Sequence, residues 1–231
     1  MIKQGKDFVI ALGGSIVYAD DIDIDFLEKF YQFINREVEQ GKRFVVTVGG
    51  GKPARSVQKA AGQFGSVSAE QKDWLGIYAS RLNANLIRTI FGKKANPEIF
   101  DACGKIKDFD SYSLIIAGGW QPGYSTDFVA IQIAIDFGLK KVIDLGKPDY
   151  VYDKDNQKFP DAKPFEKLTW TEYSKLVPGD WLAGMHVPVD PVAARLAQKE
   201  KIEVVVAGGA DLENLKNILE GGEFIGTTIK N

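Results

Sequence analysis

The chain has 231 residues, 45% of them hydrophobic and 26% charged, enough to bury a sizeable core as one large domain or two small lobes. Its net charge of −2, with no like-charged block of five residues, excludes the basic stripe of a protein that grips a nucleic-acid polymer. One cysteine, Cys103, and one histidine, His186, exclude an internal disulfide and a Cys/His zinc cluster, and fit a reducing, cytoplasmic setting.

The N-terminal stretch "MIKQGKDFVIALGGS" holds only a short apolar run broken by glycines, so neither an export signal nor a membrane span is expected. Within it, Asp7 to Leu12 reads as a buried strand that ends directly in "GGS", Gly13 to Ser15. A helix pattern follows over Asp25 to Gln40, then the strand Phe44 to Val48, which runs into "GGGKPAR". Asp73 to Phe91 has long amphipathic spacing, and Ser113 to Ala117 is a third apolar strand, ending in "GGW". The spacing predicts a helix over Thr126 to Phe137 and a strand over Lys141 to Leu145. The polar, aromatic, proline-bearing stretch Asp149 to Pro164 predicts a hairpin or long loop outside the sheet. Asp190 before Pro191 marks a helix start, Glu203 to Ala207 is a fifth strand, and Asp211 opens a last helix to Leu219. Short apolar strands alternating with helices predict an α/β fold, three layers around a mainly parallel sheet.

Four of the five strands end in a Gly-Gly pair. Carboxyl ends of parallel strands share one edge, where ligands bind, and bare backbone lets a phosphate reach N–H groups at the start of the next helix. Beside these glycines stand cations or hydroxyls where phosphates would lie: Ser15, Lys52, Arg55, Ser125 and Thr126. The pair Gly208 and Gly209 lacks such company and reads as structural.

"VIALGGSIV", "VVTVGGGKPAR", "DWLGIYASRLNANLIR", "IIAGGWQPGYSTDFVA", "PDYVYDKD" and "DPVAARLAQKEKIEVVVAGGADLENLKNIL" occur in the order and at about the spacing of the amino acid kinase superfamily. The chain resembles most its archaeal-type uridylate (UMP) kinases, from about Phe8 to Ile229. The P-loop pattern is absent. The resemblance implies a single domain over 1–231, with an acceptor-binding half to about residue 138 and a nucleotide-binding half beyond it. It implies transfer of the γ-phosphoryl group of Mg-ATP to UMP in the cytoplasm, and a homo-oligomer, a hexamer built from dimers, partly through the helix beginning near Asp73.

By the same resemblance, Gly13, Gly14 and Ser15 lie against the ATP phosphates. Gly50 faces the UMP phosphate, and Gly51 and Arg55 face ATP. Asp73, taken as opening its helix, contacts the UMP nucleoside. Trp120, Gln121, Pro122, Gly123, Tyr124, Ser125 and Thr126 wrap UMP, with Asp127 behind them. The ATP base and ribose rest near Gly146, Lys147, Tyr152 and Asp155, and Asp149 organises catalytic cations. Lys52 and Arg55, one helical turn apart at the positive end of a helix, suit the task of drawing two polyanions together. Magnesium enters with ATP, and no protein metal site is expected.

The chain departs from the family at three places. Ala11 stands where many branches carry a lysine bridging the donor phosphates, which leaves Lys52 or Lys154 as substitutes. Gly146 and Lys147 replace a Ser/Thr-Asn pair, and the "GGWQPGYSTD" loop is bulkier than usual. Trp120 can stack on a base; Trp74 and Trp181 read as packing, His186 as loop or subunit contact, and Cys103 as inert. Two alternatives stay open: a weakly active or non-catalytic nucleotide- or anion-binding, storage-type relative, and a kinase for another small acceptor. Isopentenyl phosphate kinases carry a histidine after the second glycine loop, and Ser56 to Phe64 has none. Carbamate, acetylglutamate and aspartate kinases lack this acceptor loop.

Overall fold

A computed structural model describes residues 6–105, 108–177, 179 and 187–231. The expected His186 and Trp181 lie outside them. All five expected strands form, as β1 (Asp7–Leu12), β2 (Arg43–Val48), β3 (Leu114–Ala117), β4 (Lys141–Gly146) and β8 (Glu203–Gly208). Their interiors are fully buried because helices cover both faces of the sheet. One face packs α5 (Thr126–Asp136), α6 (Trp170–Leu176) and α7 (Pro191–Glu200). The other packs α2 (Ile24–Glu39), α4 (Ala69–Phe91) and α8 (Leu212–Glu220). The three-layer α/β architecture is the expected one.

Two further strands, β9 (Thr227–Lys230) and the edge strand β7 (Lys167–Thr169), extend the sheet to seven in the order β3-β2-β1-β4-β8-β9-β7. Neither carries an apolar run, so neither is legible as a strand. β9 is antiparallel to β8, and every other pairing in this sheet is parallel. The stretch Asp149 to Pro164 forms the expected hairpin: β5 (Val151–Tyr152) and β6 (Pro164–Phe165) pair in a separate two-stranded sheet.

The order of strands explains where a ligand can go. From β1 the chain builds outward through β2 to β3, then returns to β1's other side with β4 and continues to β8. The switch point therefore falls between the carboxyl ends of β1 and β4, where the chain connections leave toward opposite sides of the sheet and open a crevice. Both glycine turns at that edge flank it. The helix α3 (Gly51–Ala61) begins inside "GGGKPAR", with Pro53 accommodated in its first turn, where no intrahelical N–H bond is lost.

The start of α4 corrects one expectation. Asp73 does not open the helix: Ser68 caps it through a reciprocal Ser68–Gln71 box, placing Asp73 one turn inside. The Ser-x-x-Gln spacing is the signal that sequence reading passed over.

Candidate functional site

The strand-end turns interlock through bare backbone. The Gly13 N–H donates to the Leu145 carbonyl at 2.8 Å, Gly49 to Leu12 at 2.9 Å, and Gly209 to Gly146 at 2.8 Å. A Cβ on Gly14 would overlap the Gly51 nitrogen and the Gly49 carbonyl, and Gly51 itself has φ +62°, so these two positions require glycine. The first turn and the second loop thus touch.

Arg55 joins them further: its guanidinium donates to Ser15 Oγ at 3.1 Å. Lys52, one turn earlier in α3, pairs with the exposed Asp20 at 2.7 Å. The Lys52 ammonium, first by that hydrogen bond and then by its charge, holds the Asp20 carboxyl below its ordinary range, with smaller help from Lys147 and Arg55. Three of the expected cations therefore gather around one carboxylate beside the first turn. Lys154 does not join them; it pairs with Asp161 at 2.6 Å in the hairpin. Asp155 belongs to the same hairpin, accepting from Lys158 at 3.0 Å and from the Gln157 N–H, contacts that hold its carboxyl low. Tyr152, in β5, stacks edge-on with Tyr150.

Beside this cluster opens a cavity of about 200 Å³, and eight of the expected residues line it: Gly50, Gly51, Arg55, Asp73, Tyr124, Ser125, Thr126 and Asp127. Trp120, Gln121, Pro122 and Gly123 are not among its lining residues. Trp120 stacks on Tyr124, with ring centroids 5.1 Å apart, and on Phe128, so the aromatic ring offered to the cavity is that of Tyr124. Gly123 donates its N–H to Asp73 at 2.7 Å, which fastens the loop to α4. Ser125 caps α5 by accepting from the Phe128 N–H at 3.0 Å, and it donates a short hydrogen bond to Asp190.

Three carboxylates sit under this loop: Asp127, Asp190 and Asp144, the last hidden inside an apolar strand and missed by sequence reading. In sheet register Asp144 lies beside Ala11, the position of the expected but missing lysine. Burial pushes the Asp144 carboxyl up to about 8. Burial also raises Asp127, with added repulsion from Asp144 and Asp190. With alanine beside it in the register, Asp144 has no cation at that position to offset the burial that favours its neutral form.

The glycines read as structural have a further use. A Cβ on Gly208 would collide with the Asp149 carboxylate, which rests against that glycine's backbone. Gly118 and Gly119, counted among phosphate-approach glycines, instead lie against α4: a Cβ on Gly118 would meet Arg81 Cγ at 3.0 Å, and one on Gly119 would meet Ser80 Oγ at 2.8 Å. Burial pushes the Cys103 thiol up to about 12, which disfavours the reactive thiolate. Among the described residues no group of three or more His, Cys, Asp or Glu is placed to hold a metal ion, and no helix is long and apolar enough to cross a membrane.

Residues 6–208 match the model of the amino acid kinase family. The uridylate kinase of Thermoplasma volcanium is 36% identical over 98% of this chain and 99% of its own. That of Thermococcus onnurineus is 33% identical over 96% and 98%. Among solved structures, the uridylate kinase of Archaeoglobus fulgidus superposes with a TM-score of 0.76 at 28% identity, covering 97% of this chain and 99% of that one. The UMP kinase of Bacillus anthracis, at 22% identity, shares the fold with a TM-score of 0.80, over 97% and 96%.

Proposed function

From the premise that this chain belongs to the amino acid kinase family, we propose that it is an ATP-dependent uridylate kinase, moving the γ-phosphoryl group of Mg-ATP to UMP to give ADP and UDP. The observation that carries this reading is the position of Arg55: it lines the cavity and also bonds Ser15 of the first glycine turn. One cation thereby spans the place for the acceptor phosphate and the place for the donor phosphates.

A UMP phosphate oxygen attacks the γ-phosphorus, the bond to the β–γ bridging oxygen breaks, and ADP leaves with that electron pair. The nucleophile is already anionic at neutral pH, so no protein base is needed. Catalysis is positioning and charge neutralisation. Gly13, Gly14 and Ser15 receive the donor phosphates, while Gly50 and Gly51 stand between donor and acceptor. Lys52 and Arg55 neutralise charge spreading over the transferred group, and Lys147 joins them from β4's end. Magnesium arrives as part of the ATP substrate.

UMP occupies the cavity with Asp73, Tyr124, Ser125, Thr126 and Asp127 around it, and with Trp120 to Gly123 closing the loop. Gly146, Tyr152 and Asp155 face the ATP base and ribose, and Asp149, seated on Gly208, orients the cations. In this reading the acceptor half spans residues 1–138 and the nucleotide half 139–231, both within a single cytoplasmic domain. Tyr78 and Leu82, 60% and 63% exposed on α4, supply an apolar face for a homo-oligomer, which light scattering tests.

The test is ADP release from Mg-ATP with UMP, CMP, dUMP, isopentenyl phosphate, acetylglutamate, aspartate and carbamate in turn. Saturable turnover with UMP supports the reading, and turnover confined to another acceptor overturns it. Arg55→Ala is expected to lose about 100- to 1,000-fold in kcat while keeping its fold by circular dichroism. Wild-type turnover in that variant would remove the phosphates from this loop.

A further inference from the structure

The helix α4 carries, on its inward side, three polar residues that end on the backbone of both loops: Arg81, which is partly exposed, Ser80, which lines the cavity, and the buried Asn83. The Arg81 guanidinium donates to the Gly119 carbonyl at 2.9 Å, to Trp120 at 2.8 Å and to Asp101 at 3.2 Å. The Ser80 hydroxyl accepts the Gly119 N–H at 2.8 Å. Two residues beyond Arg81, the buried Asn83 amide donates to the Gly49 carbonyl at 2.8 Å and the Gly50 carbonyl at 3.1 Å. The bare backbone at Gly118 and Gly119 is what lets the strand end approach Arg81 and Ser80 this closely.

We infer that Arg81 and Asn83 are positioning residues that fix the distance between the two loops from one rigid helix: Arg81 sets the acceptor loop, and Asn83 sets the phosphate loop. Neither touches a substrate in this arrangement. A planar fork with several fixed donors satisfies three carbonyls at once, which a lysine's single ammonium cannot do with the same geometry. In-line transfer depends on the spacing of the two phosphates, and a misplacement of about 1 Å is enough to cost about 100-fold in rate. The inference rests on the uridylate kinase reading for its kinetic consequence, but not for its structural one.

The experiment compares wild type, Arg81→Lys and Asn83→Ala by steady-state kinetics and by amide hydrogen exchange. In Arg81→Lys, exchange at Gly119 to Tyr124 is expected to rise about tenfold with Gly49 to Lys52 unchanged, and the KM for UMP to rise about tenfold with the KM for ATP within twofold. In Asn83→Ala the exchange pattern reverses, and kcat falls while both KM values move less. Equal exchange in both loops, or a parallel rise of both KM values in Arg81→Lys, overturns the inference. If Asn83→Ala fails to fold, Arg81→Lys, which retains the charge and most of the volume, decides alone. Absence of UMP turnover in the wild type would count against the kinase reading, while the exchange data would still judge the bracket.

Discussion

Around the cavity loop, position is set by side chains reaching backbone: Arg81, Ser80 and Asp73 of α4 hold Gly119, Trp120 and Gly123. Between the ends of β1, β2, β4 and β8 it is set by the absence of side chains, with Gly13, Gly14, Gly49, Gly51 and Gly209 close enough for backbone to bond backbone or nearly touch. The first region can be tuned by exchanging one side chain for another. The second tolerates little addition, because a Cβ at Gly13, Gly14, Gly49 or Gly51 falls where another main chain already lies. On the proposed uridylate kinase reading, the loop that discriminates among acceptors is built the first way, and the cradle for phosphates, the same in every nucleotide, is built the second.

The sharpest way to break this contrast is Gly14→Ala. Its Cβ would meet main chain on two sides, so the two turns must separate, and kcat/KM is expected to fall by more than about 100-fold. Activity near that of wild type, measured by coupled ADP assay, would show that the cradle adapts. Gly208→Ala tests the same region more gently. It displaces only the Asp149 side chain, and a loss of about tenfold in kcat is expected, with the thermal midpoint nearly unchanged.

A third test concerns the acids beneath the cavity loop. Asp144 is raised from its ordinary 3.8 to about 8, so the folded state holds a proton that the unfolded chain releases between those values. Stability from this group is therefore fully present below about pH 4 and is lost as pH rises through about 8. Asp127, raised by burial and by its neighbours, acts in the same direction. Asp144→Asn is expected to flatten the fall of the thermal midpoint between pH 5 and pH 8, on the order of a few degrees at the upper end. An unchanged profile would mean that Asp144 is ionised throughout. The smallest effect belongs to the hairpin: Lys154→Ala should leave kcat/KM within about twofold and stability within about 0.5 kcal/mol, as for an exposed ion pair. A large loss in activity would restore Lys154 as the substitute for the lysine missing at Ala11.

The sequence made the five central strands legible because each is a short, largely apolar run, and most of the turns legible because a glycine pair follows the run without a gap. β9, "TTIK", has no such run, since three of its four residues are polar. Asp144 was invisible because a single carboxyl inside "KVIDL" looks like a surface position until the register places it beside Ala11. Arg81 and Asn83 sit in a helix whose pattern announces only amphipathicity, and their partners lie 20 to 39 residues away. Periodicity reports which face of a helix is buried, not which carbonyls that face meets. The start of α4 was legible in principle, through Ser68 and Gln71, but Asp73 is the more familiar kind of cap.

β9 lies between β8 and β7, and it is the last of the nine strands to leave the ribosome. Until Thr227 to Lys230 are synthesised, β7 has no neighbour in the sheet and β8 presents an open edge of unpaired amides and carbonyls. Nascent chains stopped short of this segment would therefore carry a sticky strand edge of the kind that templates aggregation or marks a chain for proteolysis. The four residues of β9 therefore cover the edge of β8 and tie β7 into the sheet, and so shield it from edge-to-edge pairing.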